Sequence, residues 1–305
     1  MPIKFAHYLQ NIRMEKKLTQ QEVLDLLIES DSTFSKLDLT TFSRWERSIT
    51  TPKLAKQLLI VRTLGADVAL LIDSKTEVST KKKNILGHVK NRTLNPYSAD
   101  SDVFSTRHYN SLNEEFKLCK QLKIFHSDYL GMDIEIETLR KSNLLLNAFI
   151  NQSEVMIGHL LYAFVPPDIK STQLTPNKLS ECSFINTNEP QSNHNDIYVI
   201  SAYSSLSAPR MAIILMILDI LRQNPGIKSL YVNCHDQDGY NLYDTNAECE
   251  IISKGSPLPY GGIKVFGRCY RYIQLKINVE SILASKVVSD LVPFTDEYIQ
   301  GLVGK

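Results

Sequence analysis

The sequence predicts a chain of two parts: an all-α domain over residues 1–72 and an α/β domain with a mixed sheet over residues 105–305. Three observations predict this. Apolar residues recur at helical spacing through the first part, with capping signals between the runs. Beyond residue 105, strand-like and helix-like segments alternate, as in layered α/β structures. Charge divides near the same boundary. Residues 1–95 hold 16 Lys/Arg against 10 Asp/Glu, a net +6, whereas residues 96–305 hold 18 against 23, a net −5. The whole-chain value of +1 hides this split, and a basic first third fits a nucleic-acid-binding head.

In the first part, Ile3 to Lys16 places Phe5, Leu9 and Ile12 on one helical face. Thr19 and Glu22 have capping-box spacing, so a second helix starts there. Asp38 suits the N-cap of a third helix, Thr40 to Arg47, with Phe42 and Trp45 packing inward and Pro52 following its end. Thr40, Thr41, Ser43, Arg44 and Arg47 put hydroxyl and guanidinium donors on its outward faces, which suits a DNA major groove. Leu54, Leu58, Leu59, Val61 and Leu64 mark a fourth helix, stopped near Gly65. Residues 73–104 read as a basic polar linker that carries Lys81-Lys82-Lys83.

In the second part, Tyr109–Phe125 and Ile134–Leu146 read as helices and Glu154–Val165 as a strand. Cys182–Ile185 reads as a further strand, and Ile197–Tyr203 as one in which Ile197, Val199 and Ser201 alternate with Tyr198 and Ile200. Pro209 suits the first turn of the apolar helix Met211–Gln223, which Asn224-Pro225-Gly226 stops. Then come a strand at Ser229–Cys234, a short helix at Asp238–Thr245, a strand at Glu248–Ser253, a long strand at Lys264–Ile277 and terminal helices at Val279–Leu291 and Thr295–Val303.

Leu18-Thr19-Gln20, Ser43-Arg44-Trp45-Glu46-Arg47 and Thr51-Pro52 make residues 4–72 resemble the helix-turn-helix family of the Cro and phage-repressor type (XRE). The departure is an apparent insertion of about eight residues, Glu29 to Lys36, where the family has a tight turn. The resemblance implies double-stranded DNA as partner. Gln20 would then bond a phosphate or base edge, Thr40, Thr41, Ser43 and Arg44 would face the groove, and Arg13 and Lys17 would touch phosphates. Heads of this type bind paired half-sites, so a homodimer is expected.

Residues 105–278 resemble the N-acetyltransferase-like (GNAT) superfamily, chiefly in element order and in Ile157-Gly158, Leu215, Leu218 and Leu242-Tyr243. That resemblance implies acyl-CoA, its pyrophosphate held at the N-terminus of the central helix by a Gln/Arg-x-x-Gly-x-Gly/Ala turn. Ser207-Ala208-Pro209-Arg210-Met211-Ala212 stands there. Ala212 fits the pattern, Arg210 replaces a glycine, Ser207 replaces Gln or Arg, and Pro209 removes an N–H donor. Tyr243 matches the family's proton-donating tyrosine. His159, His194 and His235 are the local candidates for a base, with His159 read as a half-buried strand residue and His194 as an exposed turn residue.

The five cysteines, Cys119, Cys182, Cys234, Cys249 and Cys269, form no Cys-x-x-Cys pair, which argues against a zinc site or disulfide framework and for a reducing cytoplasm. Asp236-Gln237-Asp238 reads as a helix start rather than a metal site. Met211–Leu221 is too short to span a bilayer and contains Asp219, so no membrane partner is expected. The leading expectation is a sequence-specific DNA-binding transcriptional regulator whose degraded acetyltransferase-like domain senses a small-molecule effector or dimerises, with no cofactor. The alternatives are an active acyl-CoA-dependent N-acetyltransferase with a DNA-binding head, and a DNA-binding protein whose second domain is purely an interaction platform.

Overall fold

The computed structural model describes residues 4–72, 104–186 and 195–303. The linker expected at 73–104 lies outside these residues except for Phe104, as do Lys81-Lys82-Lys83 and His194.

The N-terminal region holds four helices: α1 (Phe5–Glu15), α2 (Gln20–Ser30), α3 (Leu39–Glu46) and α4 (Leu54–Thr63). Local chemistry sets their ends. Thr19 and Glu22 close the capping box on α2, and the Asp38 carboxylate accepts the Thr41 N–H at 2.6 Å to start α3. The segment after α2 is a short 3-10 turn at Ser32–Phe34, capped by Asp31, and it drops Phe34 into the core. Phe34 joins Leu9, Val23, Leu27, Phe42, Leu58 and Val61, all fully buried or nearly so. The apparent insertion thus supplies a core side chain rather than a free loop.

Glu46 joins three of these helices. Its carboxylate accepts from Arg13 Nε at 2.6 Å, Arg13 Nη2 at 3.1 Å and Gln20 Nε2 at 2.6 Å, while Gln10 Nε2 donates to its carbonyl at 2.8 Å. Glu46 is buried, so these charge-assisted bonds offset its desolvation.

Among the described residues the main sheet of the second domain has seven strands in the order β1-β2-β3-β4-β5-β10-β6. These are β1 (Phe104–Tyr109), β2 (Leu145–Asn151), β3 (Met156–Val165), β4 (Asp196–Ser204), β5 (Ser229–Cys234), β6 (Cys249–Lys254) and β10 (Ile273–Asn278). Only β4 and β5 pair in parallel, and the helix α7 (Ser207–Gln223) makes the crossover between them. Between β1 and β2 lie α5 (Phe116–Ile124), a π-helical turn (Phe125–Tyr129) and α6 (Ile136–Lys141). Helix α8 (Gln237–Asn246) follows β5, and α9 (Val279–Leu283) and α10 (Thr295–Leu302) close the chain. A small second sheet, β7 (Pro257–Leu258), β8 (Ile263–Val265) and β9 (Arg268–Tyr270), is inserted between β6 and β10. One apolar layer, with Val199, Leu215 and Leu230, lies on the α7 face of the sheet, and another, with Leu122, Leu161 and Tyr198, lies on the α5 face.

Several expected elements are corrected. Phe104, expected to end the linker, begins a strand that runs to Tyr109, and the helix expected from Tyr109 starts only at Phe116; as an edge strand with mostly solvated side chains Phe104–Tyr109 shows no apolar alternation. The helix expected at Ile134–Leu146 ends at Lys141, and β2 begins at Leu145. Cys182–Ile185 is not a strand, although Ile185 N–H donates to the Phe164 carbonyl at 2.9 Å. The long strand at Lys264–Ile277 breaks into three: Phe266 and Gly267, both at positive φ, turn the chain between β8 and β9, and Arg271-Tyr272 separate β9 from β10. Helix α7 begins at Ser207, four residues before the expected Met211.

The helical region is fastened to the sheet domain by a buried arginine. Arg62 of α4 pairs with Glu280 of α9 at 2.9 Å and donates to the carbonyls of Leu221, Asn224 and Ile227. Arg222 pairs with Asp67 at 3.1 Å at the rim. Burial pulls the Arg62 pKa down and pushes that of Glu280 up, each opposed by the other's charge. Arg62→Ala would leave the Glu280 carboxylate and three carbonyls without their partner. It is expected to cost about 3–5 kcal/mol, read from the urea midpoint.

Candidate active site

The site is built where β4 and β5 part. Asp196 pins their first residues together, its carboxylate accepting the N–H groups of Lys228 at 3.1 Å and Ser229 at 2.7 Å. The strands pair through Ile197–Leu230, Tyr198–Tyr231 and Val199–Val232, and no further. At that point the β3–β4 register slips: Leu161 faces Ser201 while Tyr162 faces Val199, so Ile200 is the extra residue of a bulge. The Ile200 carbonyl accepts from Asn233 Nδ2 at 3.0 Å, and the same amide group donates to the Tyr198 hydroxyl at 2.8 Å. Gln274 Nε2 donates to Asn233 Oδ1 at 2.9 Å and to the Leu174 carbonyl at 2.7 Å. A buried polar network thus replaces strand pairing at the opening.

The bulge also overturns the expected alternation. Ser201 shares the face of Tyr198 and Ile200, not that of Ile197 and Val199. There it meets His159 of β3, whose Nε2 shares a 2.9 Å hydrogen bond with Ser201 Oγ. Gly158 lets this end of β3 approach β4, since a Cβ there would lie 2.7 Å from Ser204 Cβ. Around His159 stand Phe125 at 4.7 Å and His126 at 6.4 Å between ring centres. Tyr203 stacks at a tilt on Phe125 at 5.3 Å and on Tyr129 at 4.9 Å, and His235 lies 6.2 Å from Tyr272. The π-helical turn delivers three of these rings, Phe125, His126 and Tyr129, to one place.

The three imidazoles are held neutral. His126 Nδ1 donates to the Leu122 carbonyl at 2.7 Å, which leaves the lone pair on Nε2, and that atom is buried without a partner. Burial drives the His126 pKa down to about 4, the Leu122 bond opposing. His159 is driven to about 3 by burial and then by the charges His126 and His235 would carry. His235 is also driven to about 3, by burial and then by His126, with the nearby Ile200 carbonyl opposing. Neither ring nitrogen of His235 has a hydrogen bond of good geometry. Such surroundings disfavour any cation, a bound ammonium included.

At the mouth, α7 starts without a side-chain cap. The exposed Arg210 folds back, donating to the Ser204 carbonyl from Nε at 3.3 Å and Nη2 at 3.1 Å. Ser207 to Ala212 is the first turn and a half of the helix, not a separate glycine-rich turn; Ala212 is buried in the core and Ser207 is half-buried. Tyr243 is buried on the opposite face of the sheet, among Ile214, Leu218 and Leu230, with Cys234 and Asp236 near its hydroxyl. His126, Phe125, Tyr129, Ser201 and Tyr203 carry no sequence signal: they meet only through the fold. Among the described residues no group of side chains could hold a metal ion, and no helix is long and apolar enough to cross a membrane.

In the N-terminal region, Thr40, Arg44, Arg47 and Lys17 are exposed and Thr41 and Ser43 half-buried. Arg13 and Gln20 are turned onto Glu46.

No protein-family model matches the chain, and no curated protein matches it. Solved structures do. FeeM, an N-acyl amino acid synthase from uncultured soil microbes, is 12% identical with a TM-score of 0.37, covering 62% of this chain and 98% of its own. The AHL synthase LasI is 12% identical with a TM-score of 0.35, covering 61% and 94%. Arabidopsis thaliana NAA60 in complex with acetyl-CoA is 12% identical with a TM-score of 0.34, covering 57% and 99%. The matched share of the chain is about 60% in each case. The reading of the chain as a DNA-binding transcriptional regulator is corrected: the solved structures that match are named as synthases or as an acetyl-CoA complex. A physical reason points the same way, because Arg13 and Gln20, expected on DNA, are spent on a carboxylate inside the head. At these TM-scores the likeness is one of fold outline.

The histidines make a pH prediction. The unfolded chain takes up protons near pH 6.5 that the folded chain refuses until about pH 4 for His126 and about 3 for His159 and His235. Protons therefore favour unfolding, and stability falls as pH drops from 6.5 towards 4, by at most about 1.4 kcal/mol per pH unit for each histidine. Urea titrations over this range should show that slope, and His235→Gln should reduce it by one histidine's share.

Proposed function

We propose that the sheet domain transfers an acyl group from an acyl-CoA thioester to a primary amine. The observation that carries this reading is the opening after Val199 and Val232, with an uncapped helix N-terminus and Arg210 on one side and a neutral, aromatic-walled histidine cluster on the other. The helix end and the guanidinium suit a pyrophosphate, despite the donor lost at Pro209. The thioester supplies the electrophilic carbonyl.

The histidine cluster suits the acceptor. An environment that keeps three imidazoles uncharged strips the proton from an entering ammonium as well, so the amine arrives as the nucleophilic free base. His126 Nε2, buried and unpartnered, accepts a hydrogen bond from the amine nitrogen and holds its lone pair toward the opening. As the new C–N bond forms and the C–S bond breaks, the thiolate takes a proton from a relay residue and that residue takes in return the proton shed by nitrogen, so the amide and the free thiol leave no net charge in the site. Tyr243, whose hydroxyl is held protonated by burial, is our candidate to protonate the departing thiolate.

Calorimetry with acetyl-CoA and longer acyl-CoAs should give micromolar binding, and thiol should be released when an amine is added. Arg210→Ala is expected to weaken CoA binding about tenfold. Tyr243→Phe should lower kcat about a hundredfold with CoA binding unchanged. Absence of binding by every acyl-CoA, with no thiol release, would overturn the proposal.

A further inference from the structure

The small sheet between β6 and β10 has properties that acyl transfer does not explain. From Ile251 to Val279 the chain carries no Asp or Glu, yet it holds Lys254, Lys264, Arg268, Arg271 and Lys276, within a domain whose net charge is negative. Lys254, Lys264 and Arg268 are exposed. The two most exposed large hydrophobic side chains described in the molecule are here as well: Phe266 at 88% and Tyr260 at 84%.

Phe266 is the telling residue. Val265 pairs with Arg268, so Phe266 and Gly267 form a two-residue hairpin turn, with φ of 49° and 80°. This is the turn that favours Asn-Gly, and a bulky side chain at its first position is strained. The chain thus keeps an aromatic ring where the backbone resists it and where burial does not reward it; only the Lys254 ammonium sits over the ring, at 5.4 Å. Tyr260 lies in the connection from β7 to β8 of the same small sheet, two residues after Leu258. The lobe is held to the body by Lys264 N–H donating to Gln237 Oε1 at 2.8 Å and Arg271 Nη1 donating to the Leu130 carbonyl at 3.3 Å.

We propose that this lobe docks on an anionic lipid bilayer, with Phe266 and Tyr260 entering the interface and Lys254, Lys264 and Arg268 against lipid phosphates. Aromatic rings at the water boundary joined to cations are the chemistry of interfacial binding. A folded protein partner fits less well. Strands of two or three residues carrying two exposed rings fall far short of the roughly 1,000 Å² a stable protein interface needs. A bilayer can close around separate rings.

The test is sedimentation of the full-length protein with vesicles of phosphatidylcholine alone and of phosphatidylcholine mixed with phosphatidylglycerol. Binding is expected only to the mixed vesicles, weakening with salt. Phe266→Asn should weaken it at least about tenfold while leaving Tm unchanged or higher, because Asn suits the turn that Phe strains. Arg268→Glu should weaken it too. Absence of vesicle binding by the wild type, equal binding to both vesicle types, or Phe266→Asn binding as well as the wild type would each overturn the proposal. None of these outcomes depends on whether the sheet domain transfers acyl groups.

Discussion

The arrangement of the sheet domain depends on one substitution of partners, at the Ile200 carbonyl. In an unbroken parallel pair that oxygen would accept from β5 backbone. Here the Asn233 side chain takes its place, and Asn233 is in turn held by Gln274. The bulge puts one extra residue into β4, turns Ser201 to the α5 face, and ends pairing with β5. Without this network the opening would leave buried polar groups unmet, at a cost of about 1–3 kcal/mol each. With it, a gap opens between β4 and β5 beside the N-terminus of the longest described helix.

That gap lies between two kinds of surroundings. The mouth is polar, with Arg210 and the start of α7. The floor on the other face is aromatic and desolvated, with His126, His159 and His235 kept neutral. The proposed transfer, from a charged carrier to an uncharged nucleophile, would use this division, which arises in one sheet because successive residues point to opposite faces. The helical region adds no side chain to this floor. It attaches at the far end of β4 and β5, beside a cleft of about 710 Å³ lined in part by Arg62, Lys228 and Glu280.

Local signals in the sequence were reliable where the physics is local. The Thr19–Glu22 capping box, the Asp38 cap and the inward pairing of Phe42 with Trp45 all stand as read. The order of strands and helices from Ile197 to Ser253 was legible, and it carried the resemblance of the sheet domain. Non-local features were not. The β4 bulge is invisible in an alternating run, and the Asn233–Gln274–Tyr198 network joins strands far apart in the chain. The histidine cluster unites a π-helical turn, a strand and a loop. Glu46 enters the sequence pattern only as a member of the Ser43–Arg47 run; its burial follows from Arg13 and Gln20 closing over it.

Hydrogen–deuterium exchange with and without CoA tests the central claim most directly. If the parted strands and the start of α7 receive the carrier, amides of residues 200–204 and 207–212 should gain protection on adding CoA, while those of α1 to α4 stay unchanged. Unaltered exchange in both segments at saturating CoA, or protection confined to the helical region, would contradict the account.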